Sequence, residues 1–141
     1  KVTEVSHNHP DGIKGAEAVA MMIFLIRKGL TKEELKERFI KDYYPIDFNV
    51  KELQENYKFK ISCSETVPQA FVAFYESINF EDAIRNAISI GGDSDTIGAI
   101  CGSIAAEYYG IPNYIYDKVF EYLDVYQIDI YNKFKERFTS E

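Results

Sequence analysis

Ile90-Gly91-Gly92-Asp93-Ser94-Asp95-Thr96-Ile97-Gly98-Ala99 sets hard oxygen donors on a glycine hinge where an apolar helix begins. Asp93 and Asp95 stand at i and i+2, and Thr96 adds a hydroxyl. Such donors suit Mg²⁺, Mn²⁺ or Ca²⁺, whereas zinc prefers nitrogen and sulfur. Three donors do not fill an octahedron, so a complete site draws further oxygens from water, substrate or other protein groups. The run also reads as a plain helix start, because Asp, Ser or Thr before an apolar helix caps its first unpaired amides. A cap needs one such residue, however, and here four stand in succession, while the glycine pair leaves backbone N–H groups open to an anion. An EF-hand is excluded: with Asp93 as its first position, Ile97 and Ile104 fall where that loop needs oxygen donors.

The same glycine pair separates two predicted helices. Upstream, Asn79 caps a helix over residues 80–90 in which Ala83, Ile84, Ala87, Ile88 and Ile90 face a core. Downstream, residues 96–109 restart as a helix whose Gly98, Ala99, Gly102, Ala105 and Ala106 let neighbouring helices approach closely, until Gly110-Ile111-Pro112 stops it. Earlier in the chain, Pro10 to Gly12 offers a turn and helix start, and residues 15–28 form a nearly all-apolar helix ended by Gly29. Its apolar residues cover more than one face, which predicts a helix buried on most sides. Thr31-Lys32-Glu33-Glu34 is a capping-box pattern opening a second helix that stops near Asp42, with Leu35, Phe39 and Ile40 as its core stripe.

From 43 to 64 the helical period lapses, leaving a connection with one short helix at 50–56. Val67-Pro68 then opens a helix through 77, with the proline in its first turn. The last segment, 113–138, carries Ile115, Val119, Tyr122, Leu123, Tyr126, Ile130 and Phe134 at helical spacing as expected anchors. No strand alternation or internal repeat occurs, so the class is all-α and the chain reads as a single domain over 1–141.

With 46% hydrophobic and 15% aromatic residues in 141, the chain can bury a core. A net charge of −7 and the absence of a dense basic cluster argue against nucleic acid as a partner, and the Lys32 to Lys41 segment, interleaved with glutamates, reads as a solvated face. Cys63 and Cys101 show no CxxC spacing and are expected as buried thiols, which points to a reducing, cytoplasmic setting. No run approaches the roughly 18 apolar residues of a membrane span. The chain begins at Lys1 without a signal-peptide pattern, so a start inside a longer polypeptide is expected.

His7 and His9, two residues apart before the first helix, read as a metal pair, as hydrogen-bonding groups for a ligand, or as ordinary loop polarity. No Gly-x-Ser-x-Gly, P-loop or dinucleotide fingerprint is present.

Taken together, Ser6-His7-Asn8-His9-Pro10-Asp11-Gly12-Ile13-Lys14-Gly15-Ala16 and the run from Ile90 to Ala99 closely resemble the ADP-ribosylglycohydrolase family. Ala105-Ala106-Glu107-Tyr108-Tyr109-Gly110-Ile111-Pro112 continues the resemblance, as do Cys63 to Ala70 and Phe80 to Ile84. It implies an orthogonal multi-helix, all-α bundle around a cleft with two divalent cations, Mg²⁺ or Mn²⁺, that hydrolyses N- or O-glycosidic ADP-ribose linkages in a protein or a small conjugate. It also implies Asp93, Asp95 and Thr96 as metal ligands, Asp93 and Asp95 as catalytic, and His7, Gly91 and Gly92 as substrate-binding.

The family's upstream Gly-Asp-Ala-x-Gly, Thr-Asp-Asp and glycine-asparagine-glycine segments do not occur here, so the resemblance is to a C-terminal half. An incomplete bundle, weak or absent catalysis by the isolated chain, and self-association or pairing with the N-terminal half are the expectations. The competing reading is a non-enzymatic protein, either crystallin-like and structural or an ADP-ribose-binding interaction module.

Overall fold

The computed structural model describes residues 1–56 and 62–138. These residues are helical and contain no strand, in agreement with the all-α expectation. A 3₁₀ turn at Thr3–Val5 precedes α1 (Pro10–Arg27), α2 (Lys32–Asp42), α3 (Val50–Asn56), α4 (Cys63–Tyr75), α5 (Phe80–Ser89), α6 (Ser94–Tyr109), α7 (Asn113–Phe120) and α8 (Val125–Phe138). Within the predicted connection at 43–64, residues 57–61 lie outside the described set.

Two compact units divide the chain, Lys1–Gly110 and Ile111–Glu141. In the first, α4, α5 and α6 pack on one another and α1 lies against α4 and α6. Phe39 of α2 stacks on Phe71 of α4 with ring centroids 4.1 Å apart, and Phe74 meets Tyr108 of α6 edge-on at 5.4 Å. Met22, Leu35, Ile97 and Ile104 complete this core with almost no exposure. The small residues of α6 act as expected: a Cβ on Gly102 would stand 3.1 Å from Ile84 Cδ1 of α5. Gly15 does the same for α1, where an added Cβ would meet Cys63 Cβ at 3.0 Å.

Local signals set most helix ends. Thr31 Oγ1 accepts from Glu34 N while Glu34 Oε2 accepts from Thr31 N, the reciprocal capping box read from sequence. Asn79 Oδ1 accepts from Asp82 N and starts α5 where expected.

Several expectations change. α1 begins at Pro10, inside the helix start expected at 10–12 and ahead of the apolar run at 15–28, because His9 Nδ1 accepts from Asp11 N and caps it; His9 is therefore occupied with the helix start. Only Gly15, Ala18 and Met22 of α1 are buried, so this helix is not enclosed on most sides: Ala20 and Phe24 face outward. α4 starts at Cys63, which places Pro68 inside the helix and not in its first turn, and it ends at Tyr75. Ile40 and Ile88, expected in the core, are exposed. In the second unit the single predicted segment breaks at 121–124 into α7 and α8, and none of its expected anchors is buried.

Lys32 is also not a solvated residue of a charged face. Its Nζ donates to Phe74 O and Tyr75 O, each at 3.0 Å, and to Ser77 O, so it joins carbonyls at and just beyond the end of α4. The Phe74, Tyr108 and Tyr109 rings surround the same ammonium, at 4.9, 5.8 and 5.1 Å.

Candidate functional site

Gly91 and Gly92 adopt φ of 85° and 63°, left-handed conformations that side-chain-bearing residues rarely take. This turn ends α5 and starts α6 at Ser94, two residues before the expected start, with Asp93 at the N-cap position. The Asp93 side chain caps no helix amide. Its Oδ1 instead accepts the Thr96 hydroxyl at 3.0 Å, so the first turn of α6 gathers the two carboxylates and the hydroxyl at one place. The plain capping account of the run is thereby weakened, since the residue in the cap position directs its carboxylate elsewhere.

Asp95 is exposed, and its carboxyl is held below the ordinary range, first by a hydrogen bond with the Asp93 carboxyl and then by backbone N–H groups of Thr96 and Asp95 itself. A carboxylate that remains ionised at neutral pH is a ready cation ligand. As a donor set, Asp93, Asp95 and Thr96 offer only hard oxygens and fit Mg²⁺ or Mn²⁺. They form a partial set: among the described residues no three His, Cys, Asp or Glu side chains converge as a metal centre.

His7 sits elsewhere in the same unit. Its Nδ1 lies 2.9 Å from Ser6 Oγ, and its side chain lines a groove of about 510 Å³ between the 3₁₀ turn, α1, α4 and α6. Ala16, Val19, Ile23 and Val67 make that groove mostly apolar, and Ile100 adds a residue of α6 one turn beyond Thr96.

Cys63 lines the same groove and is exposed, against the expectation of a buried thiol, because α4 begins one turn earlier than its proline suggests. Cys101 is buried as expected; its Sγ donates to Ala83 O at 3.3 Å and burial pushes the thiol pKa to about 12. Tyr44 was not singled out by sequence reasoning. Its hydroxyl is buried and has no hydrogen-bond partner among the described residues, and burial, then the nearby Cys63 and Asp11, raise its pKa. Only a Pro-flanked aromatic pair, Tyr43-Tyr44-Pro45, marks it in the sequence.

The ADP-ribosylglycohydrolase family profile matches residues 1–139. The chain belongs to the ADP-ribosylglycohydrolase family. It is similar to an uncharacterized protein of Archaeoglobus fulgidus, with 32% identity over 124 residues that cover 77% of this chain and 41% of that protein. It is also similar to the ADP-ribosylarginine hydrolase Tri1 of Pseudomonas putida, 27% identical over 115 residues covering 77% of this chain and 31% of the relative. This family member therefore spans less than half the length of either curated relative. No solved structure matches it. No helix among the described residues is long and apolar enough to cross a membrane.

Proposed function

We propose that this chain is the C-terminal part of a single-domain, divalent-metal-dependent hydrolase that cleaves glycosidic ADP-ribose linkages, and that alone it has little or no activity. The observation that carries the reading is the Thr96 to Asp93 hydrogen bond in the first turn of α6, beside Asp95, where the N-cap side chain bonds no helix amide. Membership of the ADP-ribosylglycohydrolase family gives that arrangement its chemical context.

Asp93, Asp95 and Thr96 hold Mg²⁺ or Mn²⁺ in this reading, and the remaining ligands come from outside the residues described. Such a cation, when bound, supplies Lewis-acid stabilisation of the ribose oxygens and a more acidic water. The chain's own part is to keep Asp95 ionised, to orient Asp93 through Thr96, and to present the Gly91-Gly92 backbone with no side chain in the way of a substrate. His7 contacts the ribose region from the groove. The name of the Pseudomonas relative makes ADP-ribosylarginine the first substrate to test.

The experiment uses the intact protein with ADP-ribosylarginine and Mg²⁺ or Mn²⁺, measuring release of free ADP-ribose. Asp95→Ala and Asp93→Ala are expected to lower turnover by at least about 10²-fold, a loss of the size seen on removing one electrostatic group from an active site. Full activity in both variants would sink the assignment. Tight ADP-ribose binding with no turnover in the unaltered protein would favour the interaction-module reading.

The groove on α1 and α6 is, in the same proposal, covered by the N-terminal part of the protein. Cys63 reports on it: alkylation of this thiol is expected to be fast in the isolated 1–141 chain and slow in the intact protein. Equal rates would refute that cover.

A further inference from the structure

α4 ends at Tyr75 and α6 at Tyr109, and the two ends meet around a buried serine. Ser77 is 5% exposed; its Oγ donates to Phe74 O at 2.6 Å, and Tyr109 Oη donates to Ser77 O at 2.7 Å. These bonds hold the Phe74 and Ser77 carbonyls in place without help from any cation. The Phe74, Tyr108 and Tyr109 rings pack edge-on against one another, with centroids 5.0 to 6.1 Å apart. Carbonyl oxygens and ring faces are thus gathered at one place by α4, α6 and the residues just after α4.

Into this place α2 sends its first residue. Lys32 Nζ donates to Phe74 O, Tyr75 O and Ser77 O, and lies 4.9, 5.8 and 5.1 Å from the Phe74, Tyr108 and Tyr109 ring centroids. An alkylammonium carries three N–H donors and no acceptor, so three carbonyls use all of them. Ring faces at these distances add attraction for the charge. The set discriminates among cations: a guanidinium presents its donors as a planar fork, and a quaternary ammonium has no N–H to give. Nothing in the cage reads the lysine stem or backbone.

We propose that the ends of α4 and α6 form a receptor for a primary alkylammonium ion, which Lys32 fills from its own chain. The residues that recognise the ion are separate from the residue that supplies it, so α2 is held to the α4 and α6 core as a tethered ligand. A free amine of the right shape is therefore able to take the place of the Lys32 side chain once that is removed.

The test is Lys32→Ala in the intact protein, which deletes three stem carbons and the amine, the shape of n-propylammonium. The variant melts at a lower temperature, and 1-propylammonium chloride at about 0.1 M should raise its melting point by about 4 °C, as for a ligand that binds only the folded state with millimolar affinity. The unaltered protein, its receptor already filled, should show no such rise. Sodium chloride, 1-propanol and tetramethylammonium chloride at the same concentration should not replace the amine. No rise with propylammonium overturns the proposal. An equal rise with 1-propanol also overturns it, because the gain is then only the filling of an apolar void, and an equal rise with tetramethylammonium overturns the part given to the carbonyls. If Lys32→Ala does not fold alone, its refolding yield with and without propylammonium is the readout, and equal yields overturn the proposal. In the unaltered protein, reductive methylation should reach the exposed Lys41 of the same helix at least about tenfold sooner than Lys32, whose amine is free only when the contact opens. Equal rates at the two lysines would show the receptor empty and overturn the assignment.

Discussion

The Thr96 hydroxyl donates to Asp93 Oδ1 across 3.0 Å, tying the first turn of α6 to the residue that precedes it. This bond fixes one carboxylate at a position where α6 has no side-chain cap. Replacing Thr96 by valine keeps the shape and removes the donor. The expected result is an intact fold with Mn²⁺ affinity of the intact protein reduced about 10- to 100-fold, as when a group orienting a metal ligand is lost. Thr96→Ser should retain affinity. Calorimetric titration with circular dichroism distinguishes a ligand effect from unfolding.

The same site predicts a pH dependence. The Asp95 carboxyl lies below its ordinary value of 3.8, chiefly through its hydrogen bond with Asp93. Its charged form is therefore complete at neutral pH and is lost only as pH falls through that depressed value. Metal affinity should stay level from pH 7 to about 5, well above the carboxylate range. A steep decline already between pH 7 and 6 would show that another group controls binding.

Much of the fold was legible because its signals are local. The capping box at Thr31, the Asn79 cap and the short helix at Val50–Asn56 each depend on residues within one turn, and all appear where the pattern put them. Apart from the helix boundaries at Cys63, Ser94 and 121–124, the misreadings concern contacts that no local pattern encodes. Lys32 looks like one lysine in a charged run, yet carbonyls some 42 to 45 residues away converge on it. The aromatic series in α7 and α8 has the spacing of a core stripe, and periodicity does not tell a face that is buried from one that is exposed. At the candidate site, the oxygen donors were legible from their spacing, but their link through the Thr96 hydroxyl depends on rotamers and helix start, which spacing leaves open.

Lys32 should matter for stability more than its place on a charged helix suggests. Lys32→Met removes a charged donor from three carbonyls, of which Phe74 O keeps the Ser77 N–H and hydroxyl and Ser77 O keeps the Tyr109 hydroxyl. A loss of about 2 kcal/mol is expected in denaturant unfolding, the scale for hydrogen bonds to a charged group. Lys32→Arg should not restore it, since the carbonyls converge on a single nitrogen. Changes within about 0.5 kcal/mol, the scatter of ordinary surface substitutions, would refute the clamp.

The capping box of α2 gives a signed pH effect. The Glu34 carboxyl is held below its ordinary value of 4.5 by the Thr31 backbone N–H and then by the Thr31 hydroxyl. Its contribution is present above the unfolded-state value and disappears as pH falls through the lower folded-state one. Glu34→Gln should therefore destabilise the chain at pH 7 and flatten this part of the acid limb. A variant curve parallel to the original from pH 5 to about 2 would contradict the assignment. Thr31→Ala removes the opposite half of the box and should cost about 1 kcal/mol, as for loss of a helix cap.

Gly15 marks a close approach of α1 to α4. A Cβ there would stand 3.0 Å from Cys63 Cβ and 3.3 Å from Val67 Cγ2, too near for either neighbour to remain in place. Both belong to the first turns of α4; the Val67 methyl can rotate, but Cys63 Cβ is fixed to the backbone, so full relief requires the helix start to shift by a few tenths of an ångström. Gly15→Ala should destabilise by about 1–3 kcal/mol, the cost of overfilling a packed site, even though alanine is the better helix former. Cys63→Gly in the same chain removes the closest atom and should recover part of the loss. Because Gly15 and Cys63 both line the groove that carries His7, the single variant should also displace the groove wall. The readout is the His7 imidazole resonance, which should shift in Gly15→Ala and return towards its original position in the double variant. A stable Gly15→Ala with an unmoved resonance would mean that α1 and α4 are not held at this distance.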